Sequence, residues 1–245
     1  MVRSLPNRVS TIVGGVAVDF SVVGRALAAP ARSAMLDLLM DGSSRPASEL
    51  AAVAAVQAPT ASEHLGVLVD AGLVRVEPRG RQRLYRLTDA TVGTALEQLG
   101  HLCPPTEVAS LRHSREQRDL ARARLCYDHL AGRLGVGVTD AFVARGWLNG
   151  PDLTVTDAGR AGLSNTVVGV DVDIDALAGR RRPLSRACAD WTERRPHLAG
   201  SLGAAVASVG FERGWIRRRR SGRGLDVTSA GERMLRDAWG VTLAG

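Results

Sequence analysis

Two pairs of residues in the second half of the chain carry chemistry suited to a soft or borderline metal ion. Cys126 and His129 form one pair, and Cys188 and His197 stand at the corresponding positions of an internal repeat. Thiolate and imidazole together suit Zn²⁺, Cu⁺ or Cd²⁺. The i, i+3 spacing predicts that Cys126 and His129 share one face of a helix, and it is not the spacing of a zinc finger. Three readings stand side by side: buried residues packed alike in two copies of one fold, a site for a soft metal or metalloid, and oxidisable thiols. Cys103, just before two prolines, joins such a site only if the chain folds back. Trp147, Trp191, Trp215 and Trp239 are expected as core anchors, or as walls of a small-molecule pocket.

The other chemistry is that of arginine. All 32 basic residues are arginine, and the net charge is +7. The planar guanidinium fork matches phosphate, so an anionic partner is expected. Two clusters concentrate the charge: Arg79, Arg81, Arg83 and Arg86, and the run Arg217 to Arg220 with Arg223, which could add a second phosphate contact. Nothing comparable favours catalysis, since no G-x-S-x-G, phosphate-cradling loop or H-E-x-x-H is present. No apolar run approaches the roughly 20 residues that span a bilayer. Three cysteines at wide spacings make no disulfide framework, which with the absence of a convincing secretory signal predicts a cytoplasmic protein.

The elements that must position these residues are most legible between Ser21 and Leu87. Pro30 opens a helix whose Met35, Leu36, Leu38 and Leu39 share a face, and Ser48 to Ala54 reads as a second. A third runs through PTASEHLGVLVDAG, with Pro59 in its first turn and Gly72 at its stop. The alternation in LVRVEP-RGRQ-RLYRLT is that of a β-hairpin with Arg79, Arg81 and Arg83 around its tip. Helix, helix, turn, helix and basic hairpin make a winged helix-turn-helix.

At these residues the chain resembles the ArsR/SmtB family of bacterial winged-helix repressors. The A-x-P-x-R helix stands at Ala28 to Arg32, the S-x-H-L-x-x-L-x-x-A-G-L-V core at Ser62 to Val74, and the R-x-G-R-x-x-Y-x-L wing at Arg79 to Leu87. Family members often have polar residues at the start of the recognition helix, where this chain has Ala58-Pro59. Such a helix lies in the major groove, which puts Thr60, Ala61, Ser62, Glu63 and His64 near DNA. His64 is also open to bonding within its own domain. Arg79, Arg81 and Arg83 are expected to hold phosphates. A homodimer on a pseudo-palindromic operator is expected, with Leu96, Leu99 and Leu102 and the amino-terminal segment in its interface.

The internal repeat stands without any resemblance. Cys126-x-Asp128-His129-Leu-Ala-Gly and Cys188-x-Asp190, six extra residues and His197-Leu-Ala-Gly are each followed by Gly-Trp and Val-Thr-x-Ala-Gly, with Trp 18 residues after His. Each copy reads as a helix pair, a hairpin strand and a helix, a degenerate winged helix used twice. The expected fold is therefore mainly α, of α+β type: a winged-helix domain at 21–100, a linking helix at 101–125, and repeats at 126–163 and 184–240. Residues 164 to 182 read as a loop or short strand. The implied function is effector-controlled binding of double-stranded DNA, as a repressor. The effector is left open among a soft metal, thiol oxidation and a small molecule. A protein-interaction adaptor with a winged-helix fold is the alternative.

Overall fold

A computed structural model describes residues 11–13, 16–104, 111–165, 170–219 and 222–243. The chain divides into two units, one from 1–36 and 44–88, the other from 37–43 and 89–245.

In the first unit, the strands Thr11–Val13 (β1) and Val16–Val18 (β2) pair antiparallel. Helix Phe20–Leu27 (α1) starts where Asp19 accepts from the Ser21 amide, and Pro30–Leu39 (α2) opens on a proline, whose missing N–H is no loss there. After Arg45–Pro46 (β3) come Ala47–Val53 (α3) and Ala58–Asp70 (α4), then the hairpin Val74–Arg79 (β4) and Gln82–Leu87 (β5). The sheet order is β3-β5-β4, with Val74 opposite Leu87 and Arg79 opposite Gln82. Leu50, Ala61, Leu65, Leu68, Val74 and Leu87 are buried, so α4 turns the face carrying Ala61, Leu65 and Leu68 inward. That is the helix-turn-helix with a wing read from the sequence.

The second unit begins with the end of α2, so that helix gives residues to both. It continues with Ala90–Gly100 (α5), capped by Asp89, and Leu111–Arg122 (α6). The α5 helix groups with this unit, not with the wing. Then one pattern occurs twice. Arg124–Cys126 (β6) and His129–Ala131 (β7) form a hairpin, followed by Gly132–Ala144 (α7), Leu148–Asn149 (β8) paired with Thr154–Val155 (β9), and Asp157–Leu163 (α8). After Ile174–Ala178 (α9), the second copy has Arg186–Ala189 (β10) and Pro196–Ala199 (β11), Gly200–Glu212 (α10), Ile216–Arg218 (β12) with Leu225–Val227 (β13), and Ser229–Trp239 (α11).

The repeated sequence has repeated physical roles. Thr156 and Thr228 each donate their backbone amide to the tryptophan carbonyl, Trp147 or Trp215. Each threonine hydroxyl then caps the next helix, accepting from Gly159 or Gly231. The copies cross over one another: a Cβ at Gly135 of α7 would collide with the Leu130 carbonyl and touch His197, and one at Gly203 of α10 would meet the Leu198 carbonyl and His129. Glycine is what lets each helix start so close against the carbonyl of its own hairpin, with the other copy's histidine just beyond. Phe142, Trp147, Trp215 and Trp239 pack ring on ring, with centroids 5.0 to 6.1 Å apart. The tryptophans of the repeats are thus core anchors, and Trp191 lies beneath the Arg124 guanidinium, 5.1 Å away.

Three expectations of local structure need correction. Cys126 and His129 are not on a helix, because the chain turns back at Tyr127-Asp128 with Tyr127 at φ 62°. The repeat therefore opens on a hairpin and a single helix, not a helix pair. The linking helix expected at 101–125 is described over Leu111–Arg122, residues 105–110 lying outside the described residues. Finally, the segment 164 to 182 contains a short helix, α9, capped by Asp173.

Candidate metal centre and nucleic-acid interface

Helix α4 presents Thr60, Ser62 and Glu63 to solvent on the face opposite its buried one. Ala61, expected at the DNA surface, is instead fully buried: it stands one turn before Leu65 on the apolar face. Ser62 Oγ donates to the Ala58 carbonyl at 3.0 Å. His64 is held within the unit, 3.1 Å from an Arg32 guanidinium nitrogen, and Arg32 also donates to the carbonyls of Ala26 and Arg25 at 2.7 Å. His64 thus fixes α4 to the end of α1, a job the sequence left open. At the wing, Arg79, Arg81 and Arg83 are exposed and form no ion pair among the described residues. Arg86 does not belong with them, since Glu77 holds it at 3.4 Å and Arg75 at 2.8 Å. A hydrogen bond from Ser44, then Arg75, keeps the Glu77 carboxyl below its ordinary range.

In the second unit the two hairpins bring the four sulfur and nitrogen donors together. Cys126 is the cross-strand partner of His129, and Cys188 of His197. Directly opposed residues of an antiparallel pair have their Cβ atoms about 5 Å apart, so each hairpin offers a ready-made Cys/His couple. Six extra residues in the second copy lengthen only its loop and leave that register untouched. The two sulfurs are 3.9 Å apart, the imidazole centroids 5.1 Å apart, and one donor atom from each residue lies within 4.8 Å of all the others. All four residues are buried, at 2% exposure or less. Cys103 is exposed and takes no part.

Each ring has a carboxylate behind it. Asp128 Oδ1 is 3.3 Å from Nδ1 of His129, and Asp190 Oδ2 is 2.9 Å from Nδ1 of His197. Nε2 makes no hydrogen bond in either ring, and in His197 the Nδ1 contact with Asp190 is a close ion-pair approach without hydrogen-bond geometry. A buried polar atom without a partner carries a cost, and two of them flank two thiols here. Hydrogen bonding between the thiols, then burial, pushes Cys126 up to about 12. Burial works against a charged His197, but Asp190 and Cys126 outweigh it and lift the ring to about 9.

Asp190 is itself part of a buried array. It accepts from Arg124 at 3.1 Å and from the Gly132, Thr192 and Glu193 amides at 2.6, 3.0 and 3.1 Å. Arg124 also pairs with Glu97, and Arg223 bridges Glu97 at 3.1 Å and Asp37 at 3.0 Å. Burial would raise the Glu97 carboxyl, yet the two arginines hold it below its ordinary range. Within the basic run at 217 to 220, Arg217 is exposed, but two of its arginines are engaged by carboxylates. Arg218 pairs with Asp41 at 2.8 Å and Arg219 with Asp119 and Asp226, while Arg220 lies outside the described residues. Asp41 and Asp119 are distant in sequence, which is why the run reads as unpaired.

Comparison with known proteins agrees with this architecture. Residues 27–77 match a family model described as a helix-turn-helix domain. The HTH-type transcriptional regulator YdfF of Bacillus subtilis (strain 168) is 40% identical over 214 residues, 87% of this chain and 94% of YdfF. Two regulators of Mycobacterium tuberculosis (strain H37Rv) match shorter stretches. CmtR is 40% identical over 77 residues, 31% of this chain and 64% of CmtR. The repressor SmtB is 46% identical over 65 residues, 26% of this chain and 47% of SmtB. The solution structure of the cadmium metal-sensor CmtR from M. tuberculosis is 34% identical over 37% of this chain and 93% of that one, with a TM-score of 0.31. Among the described residues no helix is long and apolar enough to cross a membrane. An alignment of 214 residues cannot be confined to the winged unit, so the kinship with YdfF takes in the duplicated region too, and the chain belongs to the ArsR/SmtB-type family of DNA-binding helix-turn-helix transcriptional regulators.

Proposed function

We propose that the protein is a cytoplasmic transcriptional repressor that binds operator DNA as a homodimer and releases it when a soft or borderline metal ion is held by Cys126, His129, Cys188 and His197. The observation that carries this reading is the buried cluster, in which two thiols and two unpartnered Nε2 atoms converge from separate hairpins. In this reading Thr60, Ser62 and Glu63 face base edges, and Arg79, Arg81 and Arg83 hold phosphates. Exposed Phe20 and Val22 of α1, and exposed Leu99 and Leu102 at the end of α5, are apolar surface that a second copy would cover.

The test is fluorescence anisotropy on an operator selected from a random duplex library. Micromolar Zn²⁺ or Cd²⁺ should release the wild-type protein, whereas Cys126→Ser and Cys188→Ser should bind the operator as well but stay bound. Equal release of wild type and both variants would refute the site.

A further inference from the structure

We infer that the four-residue cluster is built for one divalent, tetrahedrally coordinated ion of the zinc and cadmium class, shared between the two repeats, and not for a linearly held cuprous ion or for arsenite. The inference rests on the metal-centre reading above and narrows it by two independent observations, the spacing of the sulfurs and the balance of buried charge.

The spacing decides the coordination geometry. Two Zn–S bonds of about 2.3 Å meeting at the tetrahedral angle put the sulfurs about 3.8 Å apart, whereas the same two bonds opposed in a line put them about 4.6 Å apart. The sulfurs of Cys126 and Cys188 are 3.9 Å apart, which is the tetrahedral edge. Arsenite bound through three thiolates lacks its third here, because Cys103 is exposed and outside the cluster. Hard cations such as Mg²⁺ and Ca²⁺ seek oxygen, and the donors are two sulfurs and two imidazole nitrogens. Four protein donors also leave no open coordination position, which is the pattern of a holding site and not of a catalytic one.

Charge decides the valence. Around the cluster the fully buried ions already cancel: Arg124 and Arg223 are positive, Glu97 and Asp190 negative, and all four are at 3% exposure or less. Asp128 is matched by Arg182, 2.5 Å away. Any net charge inside the cluster would therefore stand uncompensated in a low-dielectric interior. Two thiolates and a divalent cation sum to zero. A monovalent ion would leave one negative charge, and a trivalent ion one positive. The ion displaces the protons of both thiols and any proton held on either ring, all of which leave to water, so that two thiolates and two neutral imidazoles hold it. Because each hairpin supplies one thiol and one ring, a single ion bridges the two copies.

The test uses reduced, full-length, metal-stripped protein and metal ions alone. Co²⁺ should bind at one per chain with the intense visible absorption of a tetrahedral site and a thiolate charge-transfer band, and one equivalent of Zn²⁺ or Cd²⁺ should bleach both. Cys126→Ser and Cys188→Ser should each lose about half of the charge-transfer band and at least tenfold in affinity, and the double variant should lose the band. Native mass spectrometry of the unmutated protein gives the stoichiometry independently, should a variant misfold. A weak six-coordinate cobalt spectrum, or two ions per chain, would overturn the inference. Stoichiometric Cu⁺ or arsenite on these cysteines without Co²⁺ or Zn²⁺ would overturn it too, while leaving a metal centre in place. Failure of every ion to bind would overturn both.

Discussion

Asp128 and Asp190 explain why each repeat carries an Asp between its Cys and its His. A carboxylate at Nδ1 fixes the ring and its tautomer, so that Nε2 faces the cluster, and makes that nitrogen a better donor. Asp128 is the safer of the two to change, because Asp190 also anchors Arg124 and three backbone amides. Asp128→Asn should keep the fold, read by circular dichroism, and weaken Zn²⁺ about 10- to 100-fold in a chelator competition. Affinity within twofold of wild type would show that the carboxylate does not support the ring. At this scale the sequence was most informative where the chain is duplicated: Cys126, His129, Cys188 and His197 were legible as a set because both copies retain them in register. Ala61 was less so, because its burial depends on which face of α4 turns inward, and His64 because its partner Arg32 lies 32 residues away.

Among the elements, the hairpins carry most of the function. The wing was legible from its alternation and its Arg-Gly-Arg tip, and the structure keeps three of its arginines free of ion pairs among the described residues. If these hold phosphates, Arg81→Ala with Arg83→Ala should lower the slope of log K against log salt by about one to two units, at about 0.9 per lost contact. Specific and random DNA should weaken together, and an unchanged slope would remove the wing from the interface. The metal hairpins were harder to see. A two-residue turn made of Tyr127 and Asp128 lacks the Asn-Gly or Gly-Gly signature, and Cys-x-x-His fits a helical face as well as a tight hairpin. The four residues lie together as the sequence grouped them, but on two hairpins and not on a helix face. Cross-strand pairing and helical i, i+3 spacing both put Cys126 beside His129, so the error about the element did not scatter the group.

On the scale of the whole molecule, duplication has placed two copies of a hairpin and helix in one chain so that they close around one cluster. A buried array, Asp190, Arg124, Glu97 and Arg223, runs from the ring of His197 to the half-exposed Asp37 of α2. Such arrays are poor sources of net stability, and breaking one by removing a partner costs about 3–5 kcal/mol, so their retention points to a need for defined positions. An ion can alter DNA binding only through unequal affinity for the DNA-bound and free states, and that coupling is reciprocal. The most direct measurement is therefore a closed cycle: Zn²⁺ affinity of the full-length protein, by competition with a chelator, with and without saturating operator DNA. The proposed mechanism predicts that operator weakens Zn²⁺ by the same factor by which Zn²⁺ weakens operator binding, about 5- to 150-fold. Zn²⁺ affinity unchanged by operator would contradict it.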